Sequence, residues 1–504
     1  MKQNMNRRDF LKVSSIGMAS LILPGCMGAS KLPAKDTLAK KPNIIFIMAD
    51  DMGYGDLGCY NKNSKIPTPN MDAMAAGGIR FTDAHSPSAV CTPTRYGVLT
   101  GRYCWRSRLK RGVLNGYSPA LIDTQRMTVA SLLKEQGYAT ACIGKWHLGL
   151  GSDKKTDFSK RLTPGPNDLG FDYFYGIPAS LDMTPYCYVE NDRVVDEPTL
   201  TIEAGKANED GWWRKGAIAP GFKHIEVLPH LTKKAVDYIG GHVRKSPDKP
   251  FFMYFPLPAP HCPIAPADFV RGRSKAGGYG DYVFEVDWTV GQVVKALQRN
   301  GLADNTLIIV TSDNGCPGRT KIDRAHSSIV KLYGHNPSGA LRGIKADVWD
   351  GGHREPFIAR WPGKIPAGTV SDELVCLTDL MATCAAIVGA KLPDDAGEDS
   401  YNILPVLFDQ ERSEPIREAV VHHSSSGVFC IRQGKWKLIL GRGSGGFSKP
   451  KVIKPKPGEP EGQLYNMEED LAESKNLWSE HPGIVERLTN LLEKYKQQGY
   501  SRPI

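Results

Sequence analysis

Cys91-Thr92-Pro93-Thr94-Arg95 places a thiol four residues ahead of a guanidinium, with a proline between them. Proline is tolerated in the first turn of a helix, where its missing N–H costs nothing, and no breaker follows until Gly101, so a helix is expected to start at Cys91. A helix N-terminus favours an anion, and Arg95 lies one turn on along the same face. The pentapeptide therefore reads as a nucleophile beside an anion site, or as a buried cysteine at a helix start with a solvated arginine. A second reactive pair, Asp50-Asp51, closes the apolar run NIIFIMA. Adjacent carboxylates at the end of a buried strand repel each other and call for a cation, unless one merely caps a turn and the other is solvated. Three further runs carry polar groups: Gly144-Lys145-Trp146-His147-Leu148-Gly149, the proline-flanked His261, and Ser312-Asp313-Asn314-Gly315. Taken singly, each of these is also an ordinary loop or turn sequence.

The elements that would position these groups are legible from hydrophobic pattern. Asn43 to Ala49 is continuous, apolar and β-branched, as expected of a strand buried on both faces in a parallel sheet. Ala139 to Ile143, Phe251 to Phe255 and Leu307 to Thr311 are shorter runs of the same kind, and amphipathic helices are expected over about 128–136 and 287–298. Each strand candidate hands over to polar residues at its C-terminal end. In a doubly wound α/β sheet those ends share one edge, where ligands bind. From about residue 413 the strand candidates become short, Ala419 to His422, Val428 to Ile431 and Trp436 to Leu440, as in hairpins of a small antiparallel sheet. An amphipathic helix over about 482–496 would cover one face. Residues 441–462, rich in Gly, Lys and Pro, read as a loop that overhangs the site.

In this order the runs match a known series. C-T-P-T-R followed by Leu99-Thr100-Gly101-Arg102 resembles the signature of the type I, formylglycine-dependent sulfatases. The double Asp, G-K-W-H-x-G, the proline-flanked His, S-D-N-G, and Lys345 ahead of Gly351-Gly352-His353-Arg354 follow one by one, over residues 42 to about 480. The resemblance implies the alkaline-phosphatase-like fold: a large mixed, mostly parallel sheet flanked by helices, with a small C-terminal antiparallel sheet plus helix. It implies domains at 42–412 and 413–504. It implies that Cys91 is oxidised to 3-oxoalanine (formylglycine), whose hydrate is the nucleophile, and that Asp50, Asp51, Asp313 and Asn314 hold Ca²⁺, or Mg²⁺, together with the modified Cys91. By the same resemblance Arg95 steadies the hydrate, Lys145 and Lys345 bind sulfate oxygens, His147 assists the nucleophile, and His261 protonates the leaving alcohol. Hard oxygen donors of this type suit Ca²⁺ rather than Zn²⁺.

Composition sets outer bounds. The 504 residues, 41% hydrophobic and 23% charged, can bury a large core, and the formal charge of +10 is spread along the chain, which points to an anionic substrate rather than to nucleic acid. Asn6-Arg7-Arg8-Asp9-Phe10-Leu11-Lys12 resembles a twin-arginine motif, and Leu23-Pro24-Gly25-Cys26 a lipobox, so 1–26 is expected to be an export signal and 27–41 a tether. The expected location is the periplasm or the outer membrane of a Gram-negative bacterium, with membrane contact only through a lipid on Cys26; plain signal-peptidase cleavage nearby is the alternative. The remaining cysteines lack any C-x-x-C pair. Aromatics in 151–229, including Tyr186 and Trp212-Trp213, either stack on a sugar or pack beneath a long loop. This region resembles the galactosamine 6-sulfatase and arylsulfatase group more than steroid sulfatases, which implies a sulfated galactose or N-acetylgalactosamine substrate. A maturation enzyme, formylglycine-generating or anaerobic, is the implied partner. The alternatives are a formylglycine-dependent phosphodiesterase or phosphonate monoester hydrolase and, from another class, a catalytically silent glycan-binding lipoprotein.

Overall fold

Asn43–Asp50 is buried along its whole length and forms the middle of a ten-stranded sheet, as a continuous β-branched and apolar run dictates. The computed structural model describes residues 40–205, 212–318 and 329–504; the expected export signal and nearly all of the tether lie outside the described residues. In chain order the strands of this sheet are β1 (Asn43–Asp50), β2 (Ile79–Phe81), β3 (Ala139–Lys145), β4 (Tyr173–Ile177), β5 (Val189–Glu190), β6 (Arg193–Val194), β7 (Phe251–Pro260), β8 (Thr306–Ser312), β9 (Phe357–Arg360) and β10 (Thr369–Ser371). Their spatial order is β10-β2-β9-β8-β1-β7-β3-β4-β5-β6. Strands β8, β1, β7, β3 and β4 run parallel, while β9 and β5 flank them antiparallel. The sheet is thus large, mixed and mostly parallel.

Two elements extend past their sequence expectations. β7 continues through Pro256, Pro258 and Pro260, although proline cannot donate to a ladder. The three share one parity, so their missing donors face one neighbour; pairing with β3 has ended at Tyr254, whereas pairing with β1 continues to Pro260. Of the helices used below, α1 is Cys91–Thr100, α2 is Val129–Glu135, α3 is Val227–Lys245, α4 is Gly277–Arg299, α5 is Leu380–Val388 and α6 is Pro482–Gln498. α4 begins at Gly277 rather than near Asp287, because Tyr279, Tyr282, Val283 and Val286 already carry its buried stripe, and glycines conceal it in the sequence. α2 starts as expected, with Thr128 and Ser131 forming a capping box.

The C-terminal sheet consists of β11 (Val420–His423), β12 (Phe429–Gln433), β13 (Trp436–Ile439) and β14 (Gln463–Asn466), all antiparallel. The fourth strand was not expected; four residues after a long loop are too short to show alternation. Period-two alternation decides what its faces do. Ile431, Leu438 and Leu464 pack with Leu488, Leu492 and Tyr495 of α6 and with Tyr103 and Trp105, which follow α1. Cys430, Ile439 and Tyr465 pack on Val348 and Trp349, just beyond Lys345. The small sheet therefore braces the segment that carries Lys345.

Close strand packing makes one glycine indispensable. Gly144 has φ +136°, and a Cβ there would meet the Pro256 carbonyl oxygen at 2.0 Å. Gly144→Ala is expected to destabilise the fold by about 3 kcal/mol, since neither backbone can give way. The shift of the urea midpoint measures it, and a change below roughly 1 kcal/mol would contradict this account.

Candidate active site

The four strand ends do converge. β1 delivers Asp50 and Asp51, β8 delivers Asp313 and Asn314, β3 ends on Lys145 with His147 following, and β7 leads directly to His261. Cys91 opens α1, whose left-handed cap is Gly101, and Lys345 comes from the loop braced by the small sheet. Asp50, Arg95, Lys145, Asp313 and Asn314 are completely buried, and Cys91, Asp51 and His147 nearly so. Asp51, His147 and Ala346 hold positive φ of 69°, 57° and 76°. Backbone strain of this kind at non-glycine residues concentrates where structure is over-determined for a task.

Contacts are short and charge-matched. Lys145 Nζ lies 2.5 Å from Asp50 Oδ2, and Lys345 Nζ lies 2.5 Å from Asp51 Oδ1 and 3.5 Å from Cys91 Sγ. Cys91 Sγ is 3.4 Å from Asp50 Oδ1. Arg95 is not solvated. Its Nε and NH2 donate to Asp313 Oδ2 at 3.0 and 2.7 Å and its NH1 to the Lys145 carbonyl at 2.9 Å, so it orients the carboxylate cluster and reaches Cys91 only through its field. His147 is committed elsewhere than expected. Nε2 pairs with the Leu114 carbonyl at 2.9 Å and Nδ1 with Ser180 Oγ at 3.4 Å, although the ring lines the same cavity as Cys91. His261 donates from Nδ1 to the Cys262 carbonyl at 2.7 Å, leaving Nε2 3.7 Å from Asp51 Oδ2.

Burial works against every charge here, and the neighbours decide the outcome. Burial would raise the Asp50 carboxyl, but Lys145, His261 and Arg95 hold it well below the usual carboxylate range. For Asp51 burial wins over Lys345, with Asp50 and Asp313 adding to it, and the carboxyl is pushed up to about 7. Asp313 is likewise raised, by burial and by Asp50. Burial and then Lys345 push His261 well below the usual imidazole range, and burial and then Lys145 do the same to His147, so both rings are neutral. Burial, Asp313 and Asp50 drive the Cys91 thiol far up. A cysteine that acts as a thiolate has its pKa lowered by its surroundings, whereas at Cys91 burial and the two carboxylates outweigh Lys145 and Lys345.

The donor set fits a hard divalent cation. Asp50, Asp51 and Asp313 are all buried in this region, and Asn314 Oδ1, the oxygen of an amide whose Nδ2 already donates to Asp51 Oδ1 at 2.7 Å, is buried without a hydrogen-bond partner. Oxygen donors with surplus negative charge are what Ca²⁺ takes. Asp50, Asp51, Cys91 and His261 also present their ligand atoms within 4.8 Å of one another.

A cavity of about 850 Å³ opens above Cys91, and several of its wall residues carry no sequence signal: Ser180, Asp182, Met183 and Arg214 on one side, Phe447, Lys449 and Lys451 on the other. The loop read as overhanging the site thus does line it. The aromatics of 151–229 do not. Tyr186 is buried, with its hydroxyl donating to the carbonyls of Asp182 and Arg214, and Trp213 stacks on His224. Tyr186 is packed inside and Trp213 is half-buried against His224, and the aromatic side chain that faces the cavity beside His147 and His261 is Phe447.

A mostly parallel sheet with carboxylates, lysines and a helix-start cysteine gathered at the C-terminal strand edge is the alkaline-phosphatase-like architecture. Residues 42–390 match the family model described as Sulfatase. The chain is 36% identical to an N-acetylgalactosamine-6-O-sulfatase of Bacteroides thetaiotaomicron, over 94% of this chain and 98% of that protein. It is 36% identical to human arylsulfatase A over 81% of this chain and 76% of that one. A solved structure from work on the metabolism of multiple glycosaminoglycans by Bacteroides thetaiotaomicron superposes with a TM-score of 0.80 at 34% identity, covering 91% of this chain and all of the other. The chain belongs to the sulfatase family and is a sulfuric ester hydrolase. No helix among the described residues is long and apolar enough to cross a membrane.

Proposed function

We propose that this sulfatase removes sulfate from a glycan, on a galactose or N-acetylgalactosamine type unit, using Cys91 matured to formylglycine, with Asp50, Asp51, Asp313 and Asn314 holding Ca²⁺. The observation that carries this reading is the setting of Cys91, a buried thiol held above its usual range, 3.4 Å from Asp50 and 3.5 Å from Lys345 on the cavity wall. The sugar class rests on the likeness to the N-acetylgalactosamine-6-O-sulfatase.

When present, the aldehyde hydrate supplies the nucleophilic oxygen and the cation neutralises charge on the sulfuryl oxygens. The chain's own groups do the rest. Lys345, poised beside residue 91, and Lys145, beside Asp50, present ammonium groups where sulfuryl oxygens gain charge in the transition state. Arg95 fixes Asp313. His261 turns Nε2 toward the carboxylates and cavity; a bound anionic ester raises its basicity, and once protonated it delivers that proton to the leaving alcohol. His147, with Nε2–H held by Leu114, keeps Nδ1 as a proton acceptor on the cavity wall. Residues 42–412 form the catalytic domain in this reading, and 413–504 complete the cavity. Export through the twin-arginine route, with lipid on Cys26, would deliver the folded and matured protein to the periplasm or outer membrane.

The test pairs mass with turnover. In protein made with a maturation enzyme, the peptide containing Cys91 is expected to carry an aldehyde in place of the thiol, and the protein to hydrolyse an aryl sulfate and 6-O-sulfated N-acetylgalactosamine faster than an aryl phosphodiester. Unmodified Cys91 in material active on sulfate esters would overturn the mechanism. Preference for the phosphodiester would replace the reaction with that of the phosphodiesterase and phosphonate hydrolase alternative, and binding of sulfated sugar without turnover by matured protein would leave the silent glycan-binding one.

A further inference from the structure

The cavity above Cys91 extends further than one sugar ring. Beside the 850 Å³ space lies a hollow of about 540 Å³ that shares Val113, Met183 and Arg214 with it. The two together exceed what a drug-sized ligand needs. The charges on their walls are unbalanced. Asp51 and Asp182 are the acids of these walls, and each is already paired, Asp51 with Lys345 and Asp182 with Arg214. Lys449 and Lys451 line the catalytic space and Lys154 the outer hollow, and none of the three makes an ion pair among the described residues.

The wall bearing Lys449 and Lys451 is built, not loose. Asp347 Oδ1 accepts from Phe447 N at 2.7 Å and Ser448 N at 3.0 Å, while its Oδ2 accepts from Ile344 N at 3.0 Å. One buried carboxylate therefore ties this loop to the turn that carries Lys345. Ser444 N and Gly445 N donate to the carbonyls of Pro450 and Lys451 at 3.0 and 2.9 Å, which fixes the backbone between Lys449 and Lys451 and at Lys451 itself. Gly446 lies so close to this turn that a Cβ would meet the Ala346 carbonyl oxygen at 2.2 Å. The two ammonium groups thus occupy a pre-organised backbone that opens onto the same cavity as the nucleophile.

We infer that Lys449 and Lys451 form a second anion subsite, so that the preferred substrate is an oligosaccharide with a further negative charge, a carboxylate or a second sulfate, on the sugar next to the one that is desulfated. This rests on the sulfated-glycan reading above. A substrate with one sulfate on an otherwise neutral sugar leaves both lysines without a partner. A polyanionic chain satisfies them, and the attraction is screened by salt.

The full chain with unmatured Cys91 allows binding to be read apart from catalysis. Calorimetric titration would use three disaccharides containing 6-sulfated N-acetylgalactosamine: one with a neighbouring uronate, its uronate methyl ester, and one whose neighbouring sugar is neutral except for a sulfate. The free acid, the doubly sulfated compound or both are expected to bind about tenfold tighter than the ester at low salt, the size that two exposed charge contacts supply. Which of them does so separates a carboxylate from a sulfate as the natural anion. The double variant Lys449→Ala, Lys451→Ala should abolish the preference, and in matured enzyme should cut the acid-to-ester ratio of kcat/KM about tenfold through KM. The exposed Lys456→Ala, in the same loop but outside the cavity wall, should leave that ratio unchanged. Equal affinities for ester and both charged compounds, or a preference that survives in the double variant, would overturn the inference. Matured protein that hydrolyses no sulfate ester would instead overturn the proposed function.

Discussion

Replacing Cys91 by alanine is expected to lower kcat on an aryl sulfate by roughly 10⁵-fold or more, the scale on which removal of a covalent nucleophile acts. No neighbouring side chain can substitute. Lys145 and Lys345 face carboxylates as cations, the His147 and His261 imidazoles are neutral and hydrogen-bonded to the backbone, and the carboxylates are clasped by Lys145, Lys345 and Arg95. The fold should be almost untouched, because Sγ fills little space and its partners keep their own ion pairs. Cys91→Ser is the sharper variant. A serine keeps one oxygen where the hydrate has two, so it can accept the sulfuryl group but lacks the second hydroxyl whose deprotonation expels sulfate by breaking the carbon–oxygen bond. For the Cys91→Ser protein, the expected mass-spectrometric outcome is a peptide sulfated on the introduced hydroxyl, without steady turnover. Alanine protein that keeps more than about one per cent of the activity would place the nucleophile elsewhere.

What the sequence disclosed follows from what makes a pattern local. β1, β3 and β8 announce themselves because strands buried on both faces are unbroken apolar runs, and the polar residues that follow them share an edge by topology alone. The start of α1 at Cys91 is equally local, fixed by Pro93 and closed by Gly101. Roles that depend on distant packing were not legible in the same way. Nothing near Arg95 in the chain says that its guanidinium ends on Asp313 rather than on Cys91, and nothing near His147 predicts Leu114 and Ser180 as its partners. β14 is hidden because four residues cannot display alternation, and its identity as a strand comes from β13 beside it. Tyr186 and Trp213 left two readings open, stacking on a sugar or packing, and the structure takes the second: Tyr186 is buried with its hydroxyl on two backbone carbonyls and Trp213 stacks on His224. Lys449 and Lys451 sit in a stretch whose composition reads as mobile, yet Asp347, a hundred residues earlier in the chain, holds it in place.

Exhaustive chelation is expected to lower both activity and melting temperature, and Ca²⁺ to restore both. Asp50, Asp51 and Asp313 are buried beside the cavity, and the Asp51 carboxyl is pushed up to about 7 because burial and its two acidic neighbours outweigh Lys345. Three cations, Lys145, Lys345 and Arg95, each hold one carboxylate, which leaves the Asn314 oxygen still without a donor. A divalent ion removes the repulsion and engages that oxygen at once, and it binds only the folded chain, since the unfolded one scatters these residues between positions 50 and 314. At a thousandfold excess over its dissociation constant it should therefore add about 4 kcal/mol of stability. Four of the five expected ligands do not depend on maturation, so thermal unfolding of the unmatured Cys91 protein in Ca²⁺ and in chelator measures the effect without any assay of catalysis. Asp313→Asn should weaken Ca²⁺ by a further one to two orders of magnitude, roughly the loss expected from removing one charged ligand. It also frees Arg95 from its partner, so Asp313→Asn should be compared with Arg95→Lys, which disturbs the same pair but leaves every oxygen donor in place. Weakened Ca²⁺ binding in the first variant, with near-normal binding in the second, would assign Asp313 to the ion. Identical unfolding curves in Ca²⁺ and in chelator would remove the cation from the site altogether.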